Sequence, residues 1–428
     1  MSISKSAFLG GLTALVVALA PGAVAPAHAQ GADEFIVQFR DGTPAAVRRA
    51  AAANAGADVR IVYAGIPAAA VRVPNERALQ ALEADPGVTA VIRNRAMSAH
   101  QRAQGKPAGG GSQSTEVVPA GVVRVGVPSA ALSDGAGVGV AILDTGIDLG
   151  HQDLTGTVNA FSAFGSSCQD DAGHGTHVAG IVGAHDNNVD VVGVAPAAKL
   201  FCVKVLDQSG SGSDATVMAG LDWVLQSHAS VSPAIRVVNM SLGRPGTVDD
   251  NPALRDLIAA LDAAGVLTVV SAGNDASTDV AAQIPAAYPQ VVSVASTTAI
   301  AGANQCRQLA QPIAADTASY FTTDGRNVSV SAPGEDQEDV SRACLIKSVG
   351  ILSTRLGGGV TRMSGTSMAA PHVAGIAARL FQKYPSYTPL AVRIQIASDA
   401  IRRGIAPLDS PTSTYTFDGV REGVAVAP

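Results

Sequence analysis

Gly365-Thr366-Ser367-Met368-Ala369-Ala370-Pro371-His372-Val373-Ala374-Gly375 is the stretch that decides how this chain is read. It sets a hydroxyl, Ser367, at the mouth of a helix expected to run to about Tyr384, where unpaired backbone amides favour negative charge. Pro371 fits an early helical turn, where a missing amide hydrogen costs least. A serine hydroxyl is a weak nucleophile at neutral pH, so it needs a base and a group that orients the base. Both candidates lie upstream: His174 in Gly173-His174-Gly175-Thr176-His177-Val178-Ala179-Gly180, and Asp144 in Ala141-Ile142-Leu143-Asp144-Thr145-Gly146-Ile147-Asp148. The set points to serine hydrolase chemistry. Read alone, Ser367 could be a plain helix cap, as could Thr366. The stretch is not a Gly-x-Ser-x-Gly elbow, which argues against a lipase-like fold.

Outward from these segments, apolar β-rich runs alternate with helical ones. Gly139 to Leu143, Leu200 to Val205, Ile235 to Asn239, Val266 to Val270 and Val291 to Ala295 read as strands. Thr176 to Ala184 and Ala215 to Leu225 read as helices, and Asn251-Pro252 opens another that Gly265 closes. Strands that are apolar throughout and alternate with helices predict a mostly parallel sheet covered on both faces. Ligands in such folds sit at the carboxyl ends of strands, where Asp144, Ser241 and Asn274 fall.

The 428 residues, 47% of them hydrophobic, exceed one average domain and predict two globular units. A net charge of -6 and 4% aromatic residues argue against a nucleic-acid partner. Residues 1–29 read as a secretory signal peptide, with Lys5, an apolar run from Ala7 to Ala20 and the small-residue site Ala27-His28-Ala29. No later run is long enough to cross a membrane, so a membrane partner is not expected after signal removal. Residues 30–100 then show a β-α-β-β-α-β order: strands Glu34 to Phe39, Asp58 to Tyr63, Ala69 to Val73 and Val88 to Arg93, with helices Thr43 to Asn54 and Asn75 to Glu83. That is a small α+β, ferredoxin-like pattern. Residues 101–116 contain a glycine-rich, polar stretch, Gln104 to Thr115, with the composition of a flexible linker, so maturation is expected between about Ala99 and Thr115. Export makes Cys168, Cys202, Cys306 and Cys344 candidates for two disulfides, with three connectivities open.

The three segments occur in the order Asp, His, Ser, and on them the chain resembles the subtilase family of serine peptidases. The resemblance runs from about Val117 to beyond Phe381, with a matching propeptide domain before it. It implies a three-layer subtilisin-like α/β fold over 117–428, and an N-terminal domain that assists folding and then inhibits. Spacing alone leaves His174 and His177 open as the base; the resemblance implies His174, with Asp144 bonding its far nitrogen. It implies Asn274, in Ser271-Ala272-Gly273-Asn274-Asp275, as oxyanion donor beside the Ser367 amide. Substrate backbone is expected to add as a strand between Ser209-Gly210-Ser211-Gly212 and Ser241-Leu242-Gly243, near Ala272 and Gly273. Gln283 falls at the floor of the primary specificity pocket, where relatives often carry a small residue.

The resemblance also pairs Cys168 with Cys202, leaving Cys306 with Cys344. It implies a structural Ca2+ site from Asp153, Asn187, the carbonyls of His185, Val189 and Val191, and Glu116 in place of a glutamine. Asp190 and Ala120 depart from the family pattern there. The resulting expectation is a secreted serine endopeptidase, extracellular or periplasmic, made as an autoprocessed preproprotein, monomeric, acting on protein or peptide substrates and bound by its own propeptide. The rival expectations are a catalytically silent binding scaffold and an enzyme that processes only itself or one partner.

Overall fold

The structure, a computed structural model, describes residues 33–100, 115–127 and 133–428. The expected leader at 1–29 and most of the expected linker, 101–114, lie outside the described residues.

The N-terminal unit runs β1 (Asp33–Phe39), α1 (Ala45–Asn54), β2 (Asp58–Val62), β3 (Ala68–Val73), α2 (Glu76–Glu83) and β4 (Val88–Arg93). Its strands pair antiparallel in the order β2-β3-β1-β4. The expected element order holds, and α2 starts one residue late because Asn75 is its cap, accepting from the Ala78 amide at 3.0 Å. Strand alternation gives the sheet two working faces. Phe35, Val37 and Val71 bury with Ala52 and Leu82 against the helices of this unit. Ile36, Ala68 and Ala70 point the other way and join a larger apolar cluster with residues of the following domain. Past β4 the chain forms a strand that sequence reading did not anticipate, β5 (Ala96–Ala99).

The larger unit contains α3 (Ala120–Arg124), β6 (Gly139–Asp144), β7 (Val158–Ser162), α4 (His174–Gly183), β8 (Lys199–Lys204), β9 (Ser211–Ser213) and α5 (Asp214–Ser227). It continues with β10 (Ile235–Met240), β11 (Leu242–Pro245), α6 (Pro252–Ala263), β12 (Leu267–Ser271), β13 (Gln283–Ile284), β14 (Val291–Thr298), β15 (Val330–Glu335), α7 (Thr366–Lys383) and α8 (Pro389–Arg403). Seven strands pair in the order β15-β14-β12-β10-β6-β8-β7, every pair parallel. β6 shows why its residues are apolar throughout: Val140 and Ile142 enter the cluster of α4, α7 and α8, while Ala141 and Leu143 enter that of α5 and α6. The three-layer architecture expected from sequence is the one found.

Local signals set the helix starts. Ser213 and Thr216 form a reciprocal capping box on α5, and Asn251 caps α6 with Pro252 in its first turn. α7 is buried from Thr366 through Phe381, as a helix rich in small and apolar residues on every side must be. Cys168 bonds Cys202 and Cys306 bonds Cys344, so the pairing implied by the resemblance is present. The first bridge ties the segment before α4 to β8.

Candidate active site

β6 ends on Asp144, which is fully buried. Its Oδ1 accepts from the Thr145 amide at 2.7 Å and lies 2.7 Å from His174 Nδ1. The close approach requires glycine at 175: a Cβ there would meet the Gly146 carbonyl oxygen at 2.1 Å and the Asp144 Cβ at 3.0 Å. His174 Nε2 is buried and has no hydrogen-bond partner among the described residues. His177 is a different kind of group. Its Nε2 donates to the Ile351 carbonyl at 3.0 Å, and burial, reinforced by His174, pushes its pKa down to about 3. It is a neutral core histidine, so geometry separates two residues that spacing could not.

Asp170, which sequence reading passed over, orders the turn into α4. It accepts from the amides of Ala172, Gly173 and Thr176 and from the hydroxyls of Thr145 and Thr176. Burial pushes its carboxyl up, but these bonds outweigh burial and hold it below its usual range. Its signal was legible as an acidic residue four positions before His174.

Ser367 lies in the first turn of α7, and its Oγ donates to the Ser241 carbonyl at 2.9 Å. The Ser241 hydroxyl donates back to the Ser367 carbonyl at 2.8 Å. Thr366 acts elsewhere, since its amide and hydroxyl both donate to Asn274 Oδ1 at 2.9 Å. With that oxygen engaged, the Asn274 Nδ2 group faces the cleft.

The cleft is filled by the protein's own chain. β5 lies between β9 and β11 in an antiparallel sheet of order β13-β11-β5-β9. Met97 and Ser98 pair with Gly212 and Ser211 on one side, and Ser98 and Ala99 with Gly243 and Leu242 on the other. The Ala99 amide donates to the Gly210 carbonyl at 3.0 Å and the His100 amide to the Ser241 carbonyl at 3.1 Å. Asn274 Nδ2 donates to the His100 carbonyl oxygen at 2.5 Å. The Ser241 carbonyl therefore accepts from both the His100 amide and the Ser367 hydroxyl. Of the expected strand partners, Gly210, Ser211, Ser241, Leu242 and Gly243 engage β5 or His100. Ser209 does not, because its amide and hydroxyl turn onto Asp207 at 2.8 and 2.6 Å. Ala272 is buried with its amide on the Val294 carbonyl, and Gly273 adopts φ 122° beside Gln283.

His100 was the residue that sequence reading missed most. Its Nδ1 lies 2.9 Å from Ser271 Oγ, and its ring covers Gly243, where a Cβ would come within 2.6 Å of the imidazole. Burial, with His174 adding to it, lowers the His100 pKa to about 4 against a bond to the Ser271 backbone, so the ring is neutral. The only sequence signal was its position at the edge of the expected maturation window.

In the loop expected to hold metal, Asp153 is fully buried; its Oδ2 accepts from the Val191 amide at 3.0 Å, and its Oδ1 has no partner. Burial pushes its carboxyl up. Glu116 Oε1 accepts from the Asn187 and Asn188 amides at 2.8 and 2.9 Å, and Asn187 Oδ1 accepts from the Val189 amide at 2.8 Å. Both His185 ring nitrogens are engaged, by the Pro196 and Thr155 carbonyls, which leaves only its backbone for a cation. Among the described residues no three His, Cys, Asp or Glu side chains gather as a metal cluster. The expected set has two carboxylates, Asp153 and Glu116, and takes its other oxygens from carbonyls and one amide side chain.

Fold and cleft together define a class: a three-layer α/β protein in which an added strand of its own chain lies in front of a buried Asp-His pair and a helix-start serine. Residues 135–417 match the model of the subtilase family, and the chain belongs to that family. It is a serine endopeptidase. It is 32% identical over 380 residues to subtilisin E of Bacillus subtilis (strain 168), covering 87% of this chain and 86% of that one. It is 33% identical over 393 residues to the minor extracellular protease Epr of the same organism, covering 90% of this chain and 53% of that one. Among solved structures, fervidolysin from Fervidobacterium pennivorans, a keratinolytic enzyme related to subtilisin, superposes with a TM-score of 0.68 at 22% identity, over 93% of this chain and 62% of its own. That last likeness bears on the fold alone.

Proposed function

We propose that Ser367 is the nucleophile, His174 the general base, Asp144 its orienting partner and Asn274 an oxyanion donor, and that the first substrate is the bond between His100 and Gln101. The observation that carries this reading is the 2.5 Å bond from Asn274 Nδ2 to the His100 carbonyl oxygen, with the Ser367 hydroxyl and the His100 amide on one shared acceptor. For attack, the Ser367 side chain turns from the Ser241 carbonyl to the unpartnered His174 Nε2 and passes its proton there as Oγ bonds the carbonyl carbon. Asp144 holds the imidazolium through Nδ1, while Asn274 and the Ser367 amide hold the oxyanion. His174 then gives the proton to the departing Gln101 amine, and water releases the acyl group by the same route.

Residues 30–100 are in this reading an inhibitory propeptide, 101–116 the maturation region and 117–428 the catalytic domain, which works as a monomer. The leader at 1–29 sends the chain out of the cell, and the likeness to a protease named extracellular supports an extracellular site of action. Among the described residues no helix is long and apolar enough to cross a membrane. Calcium fits the buried Asp153 Oδ1, which has no hydrogen-bond partner, with Asn187, the carbonyls of His185, Val189 and Val191, and Glu116 as the further oxygens that would hold it. Bound there, it would neutralise a buried carboxylate and cross-link the loop, stabilising the fold without entering the reaction. A chelator is expected to lower Tm, and an unchanged melt would remove calcium from the reading.

The deciding experiment expresses the full chain as wild type and as Ser367→Ala, with intact mass and casein digestion as readouts. The wild type is expected to shed a fragment ending at His100 and to digest casein, and the variant to do neither. Two folded, full-length, inactive proteins would favour the binding scaffold. Processing without casein digestion would mark an enzyme restricted to its own precursor.

A further inference from the structure

The residue before the expected cut is read by a side chain, and the chemistry of that contact bears on which substrates the peptidase takes beyond itself. Ser271 ends β12 fully buried, with its hydroxyl 2.9 Å from the His100 Nδ1. The wall opposite has no side chain at Gly243, and the imidazole fills the space where one would stand. A hydroxyl both donates and accepts, so it satisfies either tautomer of a neutral imidazole.

We infer that Ser271 is a specificity-determining residue, and that the mature peptidase selects peptides carrying histidine immediately before the cleaved bond. The inference rests on the cleavage reading above and deepens it by naming the substrate class. The preference follows from what other side chains leave behind. A leucine or phenylalanine offers nothing to the Ser271 hydroxyl, which would stay buried and unpaired, and a site built to bond a polar group discriminates strongly against analogues that lack it. Lysine or arginine would need a counter-charge, and the titratable group that acts on His100 here is His174, which opposes a positive charge. The strand supplies a second, weaker filter. Met97, three residues earlier, is buried in the cluster that contains Leu206 and Leu242, so an apolar residue at that place completes the pattern.

The test uses the mature enzyme released from the full chain and two quenched peptides. One carries Ala-Met-Ser-Ala-His before the cut, and the other ends in Leu instead of His. The kcat/KM ratio of the His to the Leu peptide is expected to be about ten or more at pH 7.5 in the wild type, and to collapse about tenfold in Ser271→Ala. Below pH 6.5 the wild-type ratio is expected to fall about tenfold per pH unit, because the free peptide histidine gains a proton that the pocket does not take. A wild-type ratio near one, or a ratio untouched by Ser271→Ala, overturns the inference while casein digestion keeps the peptidase reading intact. A preparation inert toward casein and both peptides would overturn the cleavage reading and this inference with it.

Discussion

The N-terminal domain is held at two places that differ in kind. Its sheet and adjoining turns rest on α5 and α6 through hydrogen bonds that each use a particular side chain. Asp222 accepts from the Ala64 and Gly65 amides at 2.9 and 2.6 Å, Gln38 donates to Asp256 at 2.6 Å, and Asn94 accepts from the Ala215 amide at 3.0 Å. The β5 strand is held chiefly by main-chain bonds that any extended peptide could make, with Met97 and His100 adding the side-chain terms. The helix platform meets side chains of this one domain, whereas in the proposed reading the cleft takes extended backbone and then reads two residues. A cut after His100 would leave every platform contact in place, which is how a severed domain can remain an inhibitor.

Chemistry at the cleft should be the most sensitive point. Asn274→Ala is expected to slow both self-processing and casein digestion by about 100- to 1000-fold, followed by mass and by dye release. A loss under about tenfold would mean that the Asn274 bond to His100 only positions the strand. Acid should act next, and first on the cleft. The neutral His100 ring is favoured in the cleft, where burial first and His174 second lower its pKa from an ordinary value near 6.5 to about 4. Docking strength is therefore complete above pH 6.5 and is lost as pH falls toward 4, by about tenfold per unit. Co-elution of the cut domain across that range measures it, and a flat profile would show that the platform carries all the binding. The smallest effect is expected from Asp222→Ala, which removes two partly exposed bonds and should weaken inhibition by roughly fivefold, read from the inhibition constant. If it exceeded the acid effect, the ranking of the two anchorages would be reversed.

Much of this was legible locally. Asp144, His174 and Ser367, the proposed reacting groups, lie in short segments that can be read one at a time, since a strand end, a glycine that permits close approach and a helix start are all local features. The parallel sheet followed from apolar runs of strand length between helical ones. The resemblance supplied what spacing left open, above all His174 over His177 and the disulfide pairing. The failures share a different property. β5 reads as unremarkable chain because Ala96 to Ala99 has no apolar alternation of its own and becomes a strand only between two edges, more than a hundred residues away in sequence. Thr366 looked like a competing hydroxyl and instead anchors Asn274. Ser209 looked like part of the cleft edge, but Asp207 captures its turn first.

The sequence by itself determined the segments that carry the proposed reacting groups and the layers beneath them, because periodicity, capping and glycine placement act within a few residues. Only the tertiary structure decided that the Ser241 carbonyl receives both His100 and Ser367, that the Asn274 amide faces a carbonyl of the same chain, and that Ser271 meets an imidazole 171 positions away. Those contacts depend on the packing of whole domains, and hydrogen bonds between distant segments leave no trace in the local sequence of either partner.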